Sequence, residues 1–377
     1  MTPRMFLDSQ GLPVEGLGAA FSVFLVFLLL IRIATYVTDR TPRVLLFGAA
    51  WLTLTLLAGL RVVDGSGGGA DASGYRDHFL SDQGAAGLPL GASGSRAATE
   101  PLHLGLTWLV RVFTENEHAY FFIVHGIIMF GVVFFVAKTW TRQYPVLPLL
   151  LFFPAYLGSL SAMRNWMAIS MLLVALTFYM RDKTKTYYLW TLVAVGFHYS
   201  AVIFLAMPLV MAFIARRRTT AGAVAIVLVM NVAVYFSGGI MSRLLTGGRY
   251  EQYLSWEEAS FSFVAPMLTI ALAGVMFARR SDAIGPRSQR IVTFMIFVAG
   301  LTTLIIFYGG FRYLSYSIVP QAAVAAFVLF AVRSHAPKNL LARVGVPAAM
   351  YVTLLVQGNG LLQSVINTSR VFPLIWQ

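Results

Sequence analysis

Apolar runs close to twenty residues long recur from Phe21 to the C-terminus, separated by short connections that carry Arg, Lys, Gly and Pro. A bilayer core takes about 20 apolar residues per spanning helix. The pattern predicts spans at about 17–36, 44–60, 119–137, 145–159, 166–180, 187–199, 201–215, 220–240, 262–278, 291–309, 314–332 and 344–365. These make an all-α integral membrane protein of about twelve transmembrane helices, expected to form one polytopic domain over residues 1–377. Only one extended polar stretch, residues 61–118, interrupts it. The composition agrees: 58% of the residues are hydrophobic and 11% charged, against roughly 45–50% and 25% in soluble domains, which excludes a soluble globular protein. The first apolar run follows Arg4, Asp8 and Glu15, a poor match to a cleaved signal peptide, and is expected to be a retained helix.

Charge sets the expected orientation. If the connection holding Arg40 and Arg43 is cytoplasmic, most basic residues, including every Lys, fall on that side. Of the acids only Asp39, Asp182 and Asp282 join them. Lys/Arg asymmetry is the orientation signal, so both termini are expected outside. The net charge of +13 is thereby dispersed among short loops, whereas a nucleic-acid partner needs basic residues gathered on one soluble face; that partner is excluded. Arg61, Arg76, Arg164, Arg249 and Arg312 lie at or near outer span ends, against the bias. A planar, permanently charged fork suits phosphate recognition, although each of them can also snorkel to headgroups or pair with an outer acid.

The outer loop reads in two parts. Residues 65–98, rich in Gly, Ala and Ser, are expected to be a mobile cover. From Glu100 to Phe113, Leu102, Leu106, Leu109, Val110 and Phe113 fall at helical spacing, which predicts an amphipathic helix at the outer interface with Thr99 as N-cap and Pro101 in its first turn. The loop also holds Asp64, Asp71, Asp77, Asp82, Glu100, His78 and His103, the richest collection of acid–base groups in the chain. Thiolate metal sites and Cys nucleophiles are excluded because Cys is absent. Carboxylate pairs of Asp-x-Asp type and His-x-x-x-His spacing are missing too, so no metal and no cofactor are expected.

Arg61 after the second span, Asp71 and Tyr75 four residues apart, Glu100-Pro101, Arg164-Asn165-Trp166-Met167-Ala168, Phe197-His198-Tyr199-Ser200-Ala201 and Arg312-Tyr313 follow one another in order. This series resembles the EpsG family of bacterial polysaccharide-biosynthesis membrane proteins, itself similar to Wzy-type polymerases of exopolysaccharide and O-antigen repeat units. It covers residues 61–204 well and the remainder through length, span count and the late Arg. Asn165 stands where the family pattern has Gln, and the stretch before Glu100 is lengthened.

The resemblance implies a glycosyltransferase that joins undecaprenyl-pyrophosphate-linked oligosaccharide repeat units on the outer face of the bacterial plasma membrane, and it admits a GT-C-like arrangement of spans. Partners would be the lipid-linked oligosaccharide, membrane lipid and a chain-length regulator. A diphosphate is a good leaving group, so the reaction needs cations for its developing charge and one base for the acceptor hydroxyl. Arg164 and Arg312 are the first candidates for diphosphate binding, with Arg61 and Arg249 behind them. His198, Asp71 and Glu100 compete as base. Asn165 and Tyr75, with Tyr250 and Tyr313, are candidates for positioning the sugar. His198 could equally be structural, Asp71 could pair with Arg61, and Glu100 could only charge-cap its helix. Three rival functions remain: a flippase or transporter of lipid-linked or anionic sugar, an O-antigen ligase, and a non-catalytic subunit of a polysaccharide assembly complex.

Overall fold

The computed structural model describes residues 14–63, 71–81, 100–209, 311–335 and 341–369, with a few isolated positions between 212 and 298. Among these residues the regular structure is entirely helical: α1 (Val14–Tyr36), α2 (Arg40–Gly59), α3 (Ala72–Leu80), α4 (Pro101–Phe113), α5 (Glu117–Thr139), a 3₁₀ segment (Leu147–Leu151), α6 (Phe152–Ser159), α7 (Met163–Tyr179), α8 (Thr184–Phe197), a second 3₁₀ segment (Tyr199–Ala206), α9 (Phe311–His335), a π-turn (Leu341–Gly345) and α10 (Val346–Ser369). Among the described residues five stretches are long and apolar enough to cross a membrane: Leu17–Tyr36, Arg40–Gly59, Glu117–Thr139, Ser315–Ser334 and Arg343–Leu362. The chain is an all-helical, membrane-embedded protein. The spans expected at 220–240 and 262–278, and most of 291–309, lie outside the described residues.

Where an expected span differs from the helix found, backbone chemistry explains it. The run expected at 145–159 is divided into a 3₁₀ segment that contains Pro148 and the eight-residue α6. A Pro supplies no amide hydrogen, and its ring disfavours the helical conformation of the residue before it. The stretch expected at 187–199 ends at Phe197, because His198 is extended at φ −155° and ψ 121°. The stretch 65–98, expected to be a mobile cover, contains the helix α3.

The described residues fall into two compact units. In the first, α1 packs on α2, α2 on α5, α5 on α7, and α7 on α8. Gly131 permits the closest approach: a Cβ there would sit 2.1 Å from the backbone oxygen of Ser170. The Gly131 amide donates to Ser170 Oγ at 3.0 Å, and the Ser170 hydroxyl donates to the Ile127 carbonyl at 2.7 Å. Small residues and hydroxyl bonds join helices in this way in a bilayer, where burial against water gives no help. Gly131→Leu is therefore expected to separate α5 from α7 and lower the thermal midpoint in detergent, at a cost of about 1–3 kcal/mol or more; an unchanged midpoint would refute this contact.

The second unit contains residues 143–152, α9 and most of α10. The Tyr144 ring meets Phe327 and Phe330 edge-on at 4.9 and 5.3 Å. Gln321 of α9 and Gln357 of α10 exchange two amide hydrogen bonds, of 2.6 and 3.0 Å, while fully buried. The reciprocal pair satisfies both amides where no water would.

Candidate functional site

The site lies in the first unit, where chain reversals bring four polar segments together. After α6, the turn Leu160-Ser161-Ala162 closes on Leu157 and Gly158 through backbone bonds of 3.1–3.2 Å. It delivers Arg164 as the second residue of α7, in a first turn where the Met163 and Trp166 amides donate to the Ser161 and Ala162 carbonyls at 3.0 and 3.1 Å, leaving those of Arg164 and Asn165 for a ligand. The extended backbone of His198 breaks the chain after α8, and the Tyr187 hydroxyl donates to the Phe204 carbonyl at 2.6 Å. A straight helix would hold residues 187 and 204 roughly 25 Å apart, so the second 3₁₀ segment runs back alongside α8 with His198 at the tip.

The third segment is α4, an amphipathic helix as expected. It turns His103, Thr107 and Val110 inward and exposes Leu102, Trp108, Leu109, Val112 and Phe113. That inverts the pattern of a helix on a soluble protein and suits an apolar surround. Its N-cap is Glu100 rather than Thr99, which lies outside the described residues, and the Glu100 side chain makes no capping bond. Leu102 lies over Gly196, where a Cβ would stand 2.7 Å from the leucine. This close seat sets α4 against α8 next to His198. The fourth segment is α3, held by the Asp71 amide donating to Ser161 Oγ at 3.1 Å, by an Arg76–Glu117 ion pair, and by Phe79 stacked on Tyr120 at 4.7 Å.

The Glu100 carboxylate is shared between two partners. One oxygen accepts from Arg164 Nη1 and the other meets His198 Nδ1. Side-chain exposures of 7% for Glu100, 14% for His198 and 23% for Arg164 shield these contacts far more than a surface ion pair. Arg164 Nε donates to the Tyr75 hydroxyl at 3.0 Å, with the guanidinium carbon 5.3 Å from the centre of the Tyr75 ring. Within this group Nη2 of Arg164 and Nε2 of His198, on either side of Glu100, have no protein partner among the described residues. The arrangement joins a permanent cation and an imidazole through one carboxylate, and it leaves an open atom on each.

Burial raises the Glu100 pKa, but hydrogen bonding with His198 and the Arg164 charge outweigh it, so the carboxyl lies below its ordinary value. A depressed acid contributes stability above its unfolded pKa, about 4.3, and loses it as pH falls through the lower folded value. The thermal midpoint of the wild type should exceed that of Glu100→Gln near neutrality, and the gap should narrow as pH falls below the unfolded value. A constant gap would contradict the ionised bridge.

The other sequence candidates are placed as follows. Arg61 is fully buried, donating to the carbonyls of Ala58 at 2.8 Å and Leu160 at 3.0 Å, with Phe121 beneath its guanidinium and His125 Nε2 3.5 Å away. Burial lowers its pKa to about 10, so it remains charged at pH 7 while closing the end of α2 against the turn before α7. Asp71 is exposed at the start of α3, where its carbonyl accepts from the Tyr75 amide at 3.2 Å. Asn165 is 8% exposed, and its Oδ1 has no hydrogen-bond donor. Arg249 and Tyr250 lie outside the described residues; Arg312 and Tyr313 fall in the first turn of α9, with their side chains outside them. No group of three His, Asp or Glu side chains able to hold a metal occurs among the described residues.

The cluster also contains His103, which the sequence reading counts among the acid–base groups of the loop without giving it a role. His103 is 4% exposed, with Nε2 3.2 Å from the Tyr120 hydroxyl and its ring 5.6 Å from that of Tyr75. The available signal was the polar stripe His103/Thr107 within an otherwise apolar helix, at a four-residue spacing that puts both on one face.

The EpsG family model matches residues 44–365, a range that includes every segment of this cluster. The chain belongs to the EpsG family. This membership gives it a role of polysaccharide-polymerase type in exopolysaccharide biosynthesis at a membrane. No curated protein and no solved structure matches it. The EpsG-family chain thus carries Glu100, Arg164 and His198 from three separate parts of its sequence in one shielded group.

Proposed function

We propose that this EpsG-family protein is a metal-independent glycosyltransferase that polymerises undecaprenyl-pyrophosphate-linked oligosaccharide repeat units on the outer face of the plasma membrane. The observation that supports it best is the carboxylate bridge, which places the open Nη2 of Arg164 and the open Nε2 of His198 on either side of Glu100. Glu100 fixes the proton of His198 on Nδ1 and leaves Nε2 as an acceptor, the division of labour a carboxylate imposes on an imidazole. The acceptor sugar gives its hydroxyl proton to Nε2, and the freed oxygen attacks the anomeric carbon of the donor. The bond from that carbon to the diphosphate breaks, and its electron pair remains on the phosphate oxygen. Arg164 meets that growing charge through Nη2 and the open amides of the α7 first turn. The unpaired Asn165 Oδ1 accepts from a sugar hydroxyl. Arg61, already held by protein carbonyls, shapes the site without touching substrate.

The test is purified protein in nanodiscs with undecaprenyl-pyrophosphate oligosaccharide, with and without EDTA, read as product length on a gel. A ladder of repeat lengths unaffected by EDTA is expected. Absence of a ladder together with movement of labelled lipid-linked sugar across sealed liposomes would replace the enzyme with a flippase.

A further inference from the structure

Arg164 can serve a ligand only if its fork is aimed, and the contact that aims it lies behind the guanidinium. Tyr75 accepts from Nε at 3.0 Å and turns the Nη edge toward Glu100. Tyr75 is carried by the short helix α3. The bracing comes from α4 and α5: the His103 ring stands edge-on to Tyr75 at 5.6 Å, His103 Nε2 lies 3.2 Å from the Tyr120 hydroxyl, and Tyr120 in turn stacks on Phe79 of α3. Thr107 closes the back of the group by donating to the His103 carbonyl at 2.9 Å.

We propose that His103 is a positioning residue for Arg164, acting through Tyr75 and anchored by its hydrogen bond to Tyr120. Among the described residues it makes no hydrogen bond to Arg164 or Glu100; its effect is to fix the ring whose hydroxyl holds Nε. Because Glu100 is the N-cap of α4 and His103 lies three residues on in its first turn, the same helix sets both the carboxylate in front of Arg164 and the ring that braces Tyr75. Burial, reinforced by the Arg164 charge, takes the His103 pKa down to about 3. An imidazole that stays neutral adds no second cation behind Arg164, and so does not push the guanidinium away. This inference rests on Arg164 being the ligand-binding group, and its test is chosen to be independent of turnover.

The measurement is the rate at which phenylglyoxal modifies Arg164 and Arg61 in the intact protein in nanodiscs, followed by mass spectrometry, for wild type, Tyr75→Phe, His103→Gln and His103→Leu. Gln can still bond to Tyr120, whereas Leu fills space without a hydrogen bond. His103→Gln is expected to leave Arg164 modification within about twofold of wild type; Tyr75→Phe and His103→Leu should raise it about fivefold or more while Arg61, fully buried, stays protected. Equal rates for the Gln and Leu variants would overturn the proposal, because packing alone would then account for His103. Acceleration of Arg61 in step with Arg164 would overturn it as well, as a general loosening of the fold. In the polymerisation assay the same order, Gln near wild type and Leu impaired, is expected in kcat/KM for the donor. A wild-type protein that makes no ladder would reject the polymerase reading and leave the modification order to decide the role of His103.

Discussion

Replacing Arg164 by Ala is expected to lower polymerisation about 10²–10³-fold, the loss typical of removing one preorganised donor from a developing negative charge. The protein should still insert and fold, since Arg164 lies at the start of α7 with its side chain partly exposed and the α5–α7 contact at Gly131 and Ser170 lies further along the helix. Loss of the cation would leave the Glu100 carboxylate with His198 alone, so the thermal midpoint should fall modestly and the rate greatly. Arg164→Lys keeps the charge but cannot hold Tyr75 and Glu100 while presenting a third nitrogen, because its ammonium is a point charge without the fork. It should recover less than a tenth of the activity. The check is product length per unit of folded protein; a folded Arg164→Ala variant that polymerises at the wild-type rate would remove Arg164 from the site.

His198→Gln carries the second large effect. Gln can replace the contact to Glu100 but cannot take up a proton, so the expected loss is about 10²–10⁴-fold in transfer rate, with donor affinity little changed. Glu100→Gln should also be impaired, for a different reason: a neutral amide neither fixes the His198 tautomer nor balances Arg164, so both rate and donor affinity should suffer. This contrast separates a base from the group that orients it. If Glu100→Gln abolished transfer while His198→Gln preserved it, the carboxylate itself would be the proton acceptor and His198 its support.

The sequence pointed to Arg164, Glu100, His198 and Tyr75 for their chemical types and places in an ordered pattern, and the structure brings all four together. What could not be read was their connection. Glu100 and His198 are 98 positions apart and Glu100 and Arg164 are 64 apart, and no periodicity reports a contact over such separations. The sequence also left Asp71 and Glu100 as equivalent acids. The fold separates them, since Asp71 is exposed at the start of α3 while Glu100 is buried between two partners. Hydrophobic runs located the long spans well, because length and apolarity dominate there. They missed α3, whose sequence ASGYRDHFL has little apolar pattern and is held by tertiary contacts at Phe79 and Arg76. They did place a break between the spans expected at 187–199 and 201–215, within two residues of the extended His198.

Arg61 is a residue whose contacts in the fold a charge pattern cannot report. It lies at an outer span end by the charge pattern, where an anionic ligand was one explanation. In the fold its donors turn inward to Ala58 and Leu160, so its charge ties the end of α2 to the turn that presents Arg164.

The most direct test is single-turnover transfer by wild type and His198→Gln, each at saturating undecaprenyl-pyrophosphate donor and acceptor, with donor affinity measured separately. The account predicts equal donor affinity and a rate at least about 10²-fold lower for the variant. Equal transfer rates would contradict it and return His198 to a purely structural place at the tip behind α8.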